Sequence, residues 1–362
     1  MKNLLLTGAA LVIMLTANAQ TNVATLSQTG IGNEANLTQT GEKQVVTVVQ
    51  DGTSNKTTTS QTSIYSNEIF VGQTGSNNQA FAYQDEQSGP NFIQIFQNGG
   101  NNYALVNQSD FLTYGSEASV SQTGTNHRAT VTQLFAIGST AGIEQTGIGD
   151  GNTATITQTN LSYLDAAEIR QNGQRQTASI YQLGTLYLVG GNEGYINQSS
   201  NFTQTATIVQ VGDINVAEIY QEQDAGPGNE ALVDQFGAGN YGYIDQSDFY
   251  TINTKATITQ TGLFNTGYIE QFAVVNSQAT VTQTGDDNVA YIGQGAEPGY
   301  LYGVGNSAQI SQTGNANLAT TLQLGNYNTA TTTQLGDGQF GTIQQIGTGN
   351  TGVINQSSGV TP

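Results

Sequence analysis

The chain contains no cysteine and no tryptophan, a single histidine and four prolines, and only 9% of its residues are charged. Without cysteine there is no disulfide framework and no thiolate metal site, so nothing in the sequence reports a redox compartment. A composition of 36% hydrophobic residues with so little charge is too lean for an ordinary globular core. The shortage of charge and proline also argues against disorder, because disordered chains are usually rich in both. Basic residues are scarcest: seven Lys and Arg stand against 26 Asp and Glu, a formal charge of −19. That balance argues against nucleic acid as a partner, which requires basic surface. What abounds is glycine, 45 residues of it, together with Val, Ile, Thr and Tyr, the composition of strands and turns.

One long apolar run occurs, Leu4 to Leu15, after Lys2 and before Ala17-Asn18-Ala19. A basic start, an apolar stretch and an Ala-x-Ala site predict a secretory signal peptide over residues 1–19, cleaved after Ala19. The run is too short for a helix crossing a bilayer, which needs about 20 residues. Losing Lys2 leaves six basic residues against 26 acidic ones, a formal charge of −20. No later segment is apolar enough to cross as a helix.

Residues 20–362 are repetitive. Glutamines recur in phase at 28 positions from Gln28 to Gln356, marking units that span residues 22–356. Counting back from each glutamine, Val or Ile usually stands two before, as at Val131, Ile156, Ile219 and Ile258; Ala or Gly stands four before and Asn six before. A period of two is a strand with one buried face, so Asn, Ala, Ile and Gln point inward together. Fifteen of the intervals between glutamines are eleven residues long, and each of these has glycine two places after the glutamine, as at Gly30, Gly75 and Gly262. Glycine suits a tight arc because it reaches positive φ without steric cost. Longer intervals, such as the one ending at Gln235, hold the acidic and proline-containing stretches. The expected fold is all-β: a two-strand-per-rung β-solenoid of about 14 rungs, with cross-β, amyloid-like stacking.

Stacking explains why amides face inward. Rungs lie about 4.8 Å apart, so Gln over Gln and Asn over Asn can join their amides along the axis. Asn78, Gln84, Asn215, Gln221, Asn288, Gln294, Asn317 and Gln323 are expected in such ladders. The outward faces differ. Odd strands carry an outer row of Tyr195, Glu218, Tyr243, Tyr268 and Tyr291, whereas even strands carry Thr-x-Thr pairs such as Thr155 with Thr157 and Thr257 with Thr259.

The end units look like interior ones. The first is Asn22, Ala24, Leu26 and Gln28; the last is Asn350, Gly352, Ile354 and Gln356. Soluble solenoids usually close with an atypical capping repeat, because an open strand edge recruits other chains. Uncapped ends predict head-to-tail polymerisation, each copy adding roughly 67 Å to a fibre.

The motif Q-x-G-x-x-N-x-A-x-x-x-Q, written as QTGIGNEANLTQ at 28–39, QTGSNNQAFAYQ at 73–84 and QTGNANLATTLQ at 312–323, is similar to the curlin repeat of curli subunits. The resemblance implies an extracellular functional amyloid of a Gram-negative bacterium, serving biofilm matrix and adhesion. Its implied partners are further copies of itself, a nucleator subunit and outer-membrane secretion machinery, with no cofactor.

His127 fills an Asn slot and has no recurring nucleophile or carboxylate beside it, so it reads as a ladder residue rather than a catalytic base. The acidic arcs (Asp85 with Glu86, Asp110, Asp150, Asp286 with Asp287, Glu297) lack the spacing of calcium-binding β-rolls and read as solvated charge. No acid, base and nucleophile recur together, so an enzyme is not expected. The functional alternative is a monomeric surface-binding solenoid, an adhesin or ice-binding protein, using the Thr face. That face is interrupted by Phe81, Tyr83, Leu105 and Tyr181.

Overall fold

The computed structural model describes residues 12–13, 22–85, 89–109, 113–159, 163–184, 190–222, 226–248 and 250–358. The predicted signal peptide and its cleavage site lie outside these residues, apart from Val12–Ile13, as do Glu86 and Asp110. Val12–Ile13 pairs in parallel with Asn36 and Leu37.

The chain forms two compact units, residues 1–164 and 165–362. Each is an all-β solenoid of parallel strands, two strands to a rung. In the first unit, one sheet stacks Val23–Ile31, Val45–Thr53, Glu68–Ser76, Phe92–Gly100, Glu117–Thr125 and Thr140–Gly147. Its other sheet stacks Glu34–Gly41, Lys56–Ser63, Gln79–Gln84, Tyr103–Asn107, Arg128–Gln133 and Thr153–Thr159.

The second unit repeats the plan. One sheet runs Ala166–Gly173, Glu193–Ser200, Val216–Gln221, Tyr241–Asp245, Thr266–Gln271, Val289–Gly295, Leu318–Asn326 and Phe340–Thr348. The other runs Gln176–Leu183, Gln204–Asp213, Asn229–Ala238, Lys255–Leu263, Gln278–Thr284, Ser307–Thr313, Thr329–Leu335 and Thr351–Ser357. Each strand holds one phased glutamine or directly precedes it. A small extra sheet, Val274–Val275 with Gly303–Val304, forms where two long arcs stack.

Register follows the repeat throughout each unit. Gln aligns with Gln and Ile with Ile or Val, as in Ile258 with Val281 and Gln260 with Gln283. A one-residue slip would turn every inward side chain outward, so the pattern fixes the pairing. The core is thin and consists of Ala and Ile or Val from both sheets, with Ala206, Ile208, Ala217 and Ile219 all fully buried. Alanine lets the sheets approach while the branched residues fill the gap.

The tight arcs depend on two left-handed positions. Glycine two places after Gln has φ near +120°, for instance Gly237 at +120° and Gly262 at +122°. Here conformation is only half the reason, because a Cβ on Gly237 would lie 2.0 Å from the carbonyl oxygen of Gly262 in the next rung. Two residues further on, the chain turns left-handed again, often at side chains that dislike it: Ile214, Phe264 and Tyr327 have φ of 51°, 55° and 53°. In other arcs Gly or Asn fills this second position, as at Gly239, Gly338, Asn77 and Asn101, so the sequence signals it in some arcs and not in these. Stacked arcs hold it by backbone bonds such as Phe264 N–H to Ala238 O at 3.0 Å.

Candidate functional site: amide ladders, end rungs and outer rows

Within each unit, the phased glutamines before the last rung donate from Nε2 to Oε1 of the glutamine one rung later. In the first unit the runs are Gln28 to Gln145 and Gln39 to Gln158. In the second they are Gln171 to Gln345 and Gln182 to Gln356, and across both units every link measures 2.6–3.1 Å. The second N–H of the amide usually reaches a backbone carbonyl of the facing strand, as Gln260 does to Tyr241 O at 2.9 Å. Donors and acceptor are thereby used, which is what makes a buried amide tolerable. Gln84, Gln221, Gln294 and Gln323 all sit in these runs with at most 2% exposure.

The asparagines do different work. Asn78, Asn215, Asn288 and Asn317 lie at the ends of arcs, one residue before their strands. Each donates from Nδ2 to Oδ1 of the asparagine one rung earlier, at 2.9–3.1 Å, and also to an arc carbonyl: Gly99, Gly237, Gly314 and Gly336 respectively. Their backbone N–H groups bond to the same Oδ1. The asparagine row therefore stitches one arc to the next, and its donors point opposite to those of the glutamine row. His127 fills this slot with Nε2 against the carbonyls of Thr123 and Gly147, at 3.3 and 3.1 Å, and Nδ1 accepting from Asn152 N–H at 3.2 Å. Burial pushes its pKa below the usual value, against the smaller opposing effect of the two carbonyls.

The end rungs are less covered. Ala24 is exposed and Asn22, Leu26 and Gln28 are partly so; on the last strand Gly352, Ile354 and Gln356 are partly exposed. Asn22 Nδ2 donates to Gly41 O and its Oδ1 accepts from Gln44 N–H. Asn350 Nδ2 donates to Asn328 Oδ1 at 2.9 Å. Among the described residues, no donor reaches Oε1 of Gln28 or Gln39, and Gln345 Nε2 donates only to Thr329 O and Gln356 Nε2 only to Phe340 O. Gln339, in the Asn slot of the final rung, has an Oε1 without a hydrogen-bond partner.

On the outer faces, Tyr195, Glu218, Tyr243, Tyr268 and Tyr291 align rung by rung. Two more tyrosines that the repeat did not single out, Tyr220 and Tyr241, pack diagonally into this row. Burial, reinforced by neighbouring carboxylates, pushes the phenols of Tyr220, Tyr241, Tyr243 and Tyr291 well above their usual range. The Thr face is patchier. Thr130 aligns with Leu105, Leu105 with Phe81 in the first unit, whereas Thr257 aligns with Thr280, and Thr259 with Thr282 in the second. Of the acidic arcs, Asp286 is tied into the stack, its Oδ1 accepting from Leu263 N–H at 2.9 Å. Among the described residues, no three His, Cys, Asp or Glu side chains come together to hold a metal, and no helix is long and apolar enough to cross a membrane.

Residues 115–147, 226–262 and 303–336 match the family model of the curlin-associated repeat. No curated protein matches the chain. The stacked rungs built on Gln, Asn, Ala and Ile, and the three matched stretches, together show that the chain carries curlin-associated repeats.

Proposed function

We propose that the chain is an extracellular structural protein that polymerises head to tail into curli-like amyloid fibres for biofilm matrix and adhesion. The observation that carries this reading is the polarity of the end rungs. The last rung presents ladder donors, Gln345 Nε2 and Gln356 Nε2, and the first presents the matching acceptors, Gln28 Oε1 and Gln39 Oε1. The asparagine row is complementary in the reverse sense, with Gln339 Oε1 unpartnered at the end where an incoming Asn22 N–H would arrive. Like ends would set donor against donor, so stacking favours one orientation and does not close on itself. Covering Ala24, Leu26 and Ile354 adds apolar burial to each junction. The signal peptide is removed first, and this clears the edge of Glu34–Gly41 that Val12–Ile13 occupies. A nucleator subunit and outer-membrane secretion machinery are the partners this role requires.

The test is growth of the mature chain from denaturant, followed by thioflavin fluorescence and electron microscopy, with and without preformed seeds. Seeds are expected to remove the lag and extend as unbranched fibres; a chain that stays monomeric for days at high concentration contradicts the proposal. The paired Thr rows of the second unit favour one other reading, a monomeric surface binder. Replacing Thr155, Thr257 and Thr280 with Lys abolishes binding on that reading and leaves fibre growth intact on the first.

A further inference from the structure

The second unit carries a packed row of phenols on one outer face. Ring centroids are separated by 5.5 Å for Tyr195 and Tyr220, 5.6 Å for Tyr220 and Tyr243, 5.9 Å for Tyr243 and Tyr268, and 5.4 Å for Tyr268 and Tyr241. Ring planes are tilted by 42–50°, a favourable packing for aromatic pairs. Tyr243 and Tyr268 are register partners on neighbouring strands. The hydroxyls are tethered to carboxylates: Tyr220 donates to Glu218 Oε2 at 2.9 Å, Tyr241 to Glu218 Oε1 at 3.3 Å, and Tyr243 to Asp245 Oδ2 at 3.2 Å. Each of these phenols thus has a neighbouring ring within 6 Å and a base already on its proton.

We propose that this row is a site of oxidative modification, at which a one-electron oxidant of the peroxidase or photosensitiser class couples neighbouring tyrosines into dityrosine and ties adjacent rungs covalently. Removing one electron from a phenol makes a radical cation, a strong acid. Its proton passes along the existing hydrogen bond to Glu218 or Asp245 and leaves a neutral phenoxyl radical. The next ring can supply an electron in turn, so the radical site moves along the row. When a second oxidation creates a radical on an adjacent ring, the two join through a bond between carbons ortho to the oxygens. Each of those carbons then loses its hydrogen as a proton, and each phenol oxygen regains one. Two phenols and two equivalents of oxidant give one dityrosine, two equivalents of reduced oxidant and two protons.

The chain contains its own control. Tyr65 and Tyr114 in the first unit lie 6.2 Å apart but meet edge-on at 86°, and both are more than 40% exposed. Among the described residues, neither phenol donates to a carboxylate. All rings of the proposed site belong to one unit, so coupling does not depend on polymerisation.

The experiment is brief illumination of the mature full chain with a ruthenium tris-bipyridyl sensitiser and persulfate, as an equal mixture of light and isotopically heavy chains. Linked peptides are then mapped by mass spectrometry after digestion with a broad-specificity protease. The expected result is links within one chain joining Tyr220 to Tyr195 or Tyr243, and Tyr268 to Tyr241 or Tyr243, several-fold more abundant than any between Tyr65 and Tyr114. Tyr220→Phe removes its own links and leaves that between Tyr241 and Tyr268; Glu218→Gln, which keeps the shape but removes the base, lowers the yield of links from Tyr220 and Tyr241. Oxidation concentrated on exposed Tyr114, Tyr300 and Tyr327 without links in the row, or row links that join light to heavy chains, would overturn the proposal. So would a Glu218→Gln chain coupling as fast as the parent.

Discussion

Replacing Gln283 with methionine keeps the side chain's shape and deletes its amide. Gln283 is fully buried; its Oε1 accepts from Gln260 Nε2 at 2.9 Å, and its Nε2 donates to Gln312 Oε1 at 2.9 Å and Thr266 O at 3.0 Å. With methionine, Gln312 Oε1 has no donor, and Gln260 Nε2 keeps only its bond to Tyr241 O. Both neighbours are fully buried, so water cannot substitute. A buried polar group stripped of its partner costs about 1–3 kcal/mol, so two such groups destabilise the rung by about 2–6 kcal/mol. The greater apolarity of methionine offsets about 1 kcal/mol of this. The same change at Gln28 strips only Gln50 Oε1 of its donor, one buried group where Gln283→Met strips two, and should cost about 1–3 kcal/mol before the same offset. Amide hydrogen exchange in the freshly diluted monomer measures both. In strands Lys255–Leu263, Gln278–Thr284 and Ser307–Thr313, Gln283→Met should speed exchange by about a hundredfold, taking about 1.4 kcal/mol per factor of ten. Gln28→Met should leave those strands unchanged. Equal and small effects at the two positions would refute the claim that buried amide ladders stabilise the stack.

His127 makes the first unit sensitive to acid. Its Nδ1 already accepts from Asn152 N–H, and burial holds its folded pKa below the usual 6.5. The unfolded chain therefore binds the proton more readily, and stability is complete above pH ~6.5 and falls as pH drops from there toward the folded pKa. Exchange in Arg128–Gln133 and Thr153–Thr159 should accelerate over that range, and His127→Asn should flatten the profile. Gly237→Ala should destabilise by more than ~3 kcal/mol, because it adds a collision with Gly262 O to a left-handed backbone. Gly338→Ala, with φ +64° and open space around it, should cost only the left-handed penalty of about 1–2 kcal/mol; thermal melts of the pair decide. Thr332 is fully buried with an unpartnered hydroxyl, so Thr332→Val should stabilise its rung by about 1 kcal/mol in the same melts.

Most of the architecture was legible because a period of two, repeated through both units, leaves few alternatives. The inward glutamines, the Ala and Ile core and the contrast between Tyr and Thr faces all follow from side-chain alternation alone. What escaped was anything set by the arcs or by diagonal neighbours. The asparagines read as strand residues in a simple ladder, yet they stand at arc ends and bond to arc carbonyls, because the chain is still turning six residues before the glutamine. Ile214, Phe264 and Tyr327 adopt left-handed backbone that their side chains disfavour; only stacking against the neighbouring arc accounts for it. Tyr220 and Tyr241 were missed from the aromatic row because they occupy different repeat positions and meet it only diagonally across strands. Thr57 and Thr59 stand in the Ala and Ile slots of one strand, where Thr57 Oγ1 donates to Gln73 Oε1 at 2.8 Å while the Thr59 hydroxyl finds no partner, a difference their slots do not predict.

The central claim is that one copy's last rung continues into the next copy's first. Electron cryomicroscopy of fibres grown from the mature chain tests it most directly. The account predicts Phe340–Thr348 beside Val23–Ile31 of the following copy, parallel and in register, with Gln345 Nε2 bonded to Gln28 Oε1 across the junction. Fibres in which copies pack side by side through the Tyr or Thr faces, with the end rungs left open, would contradict it.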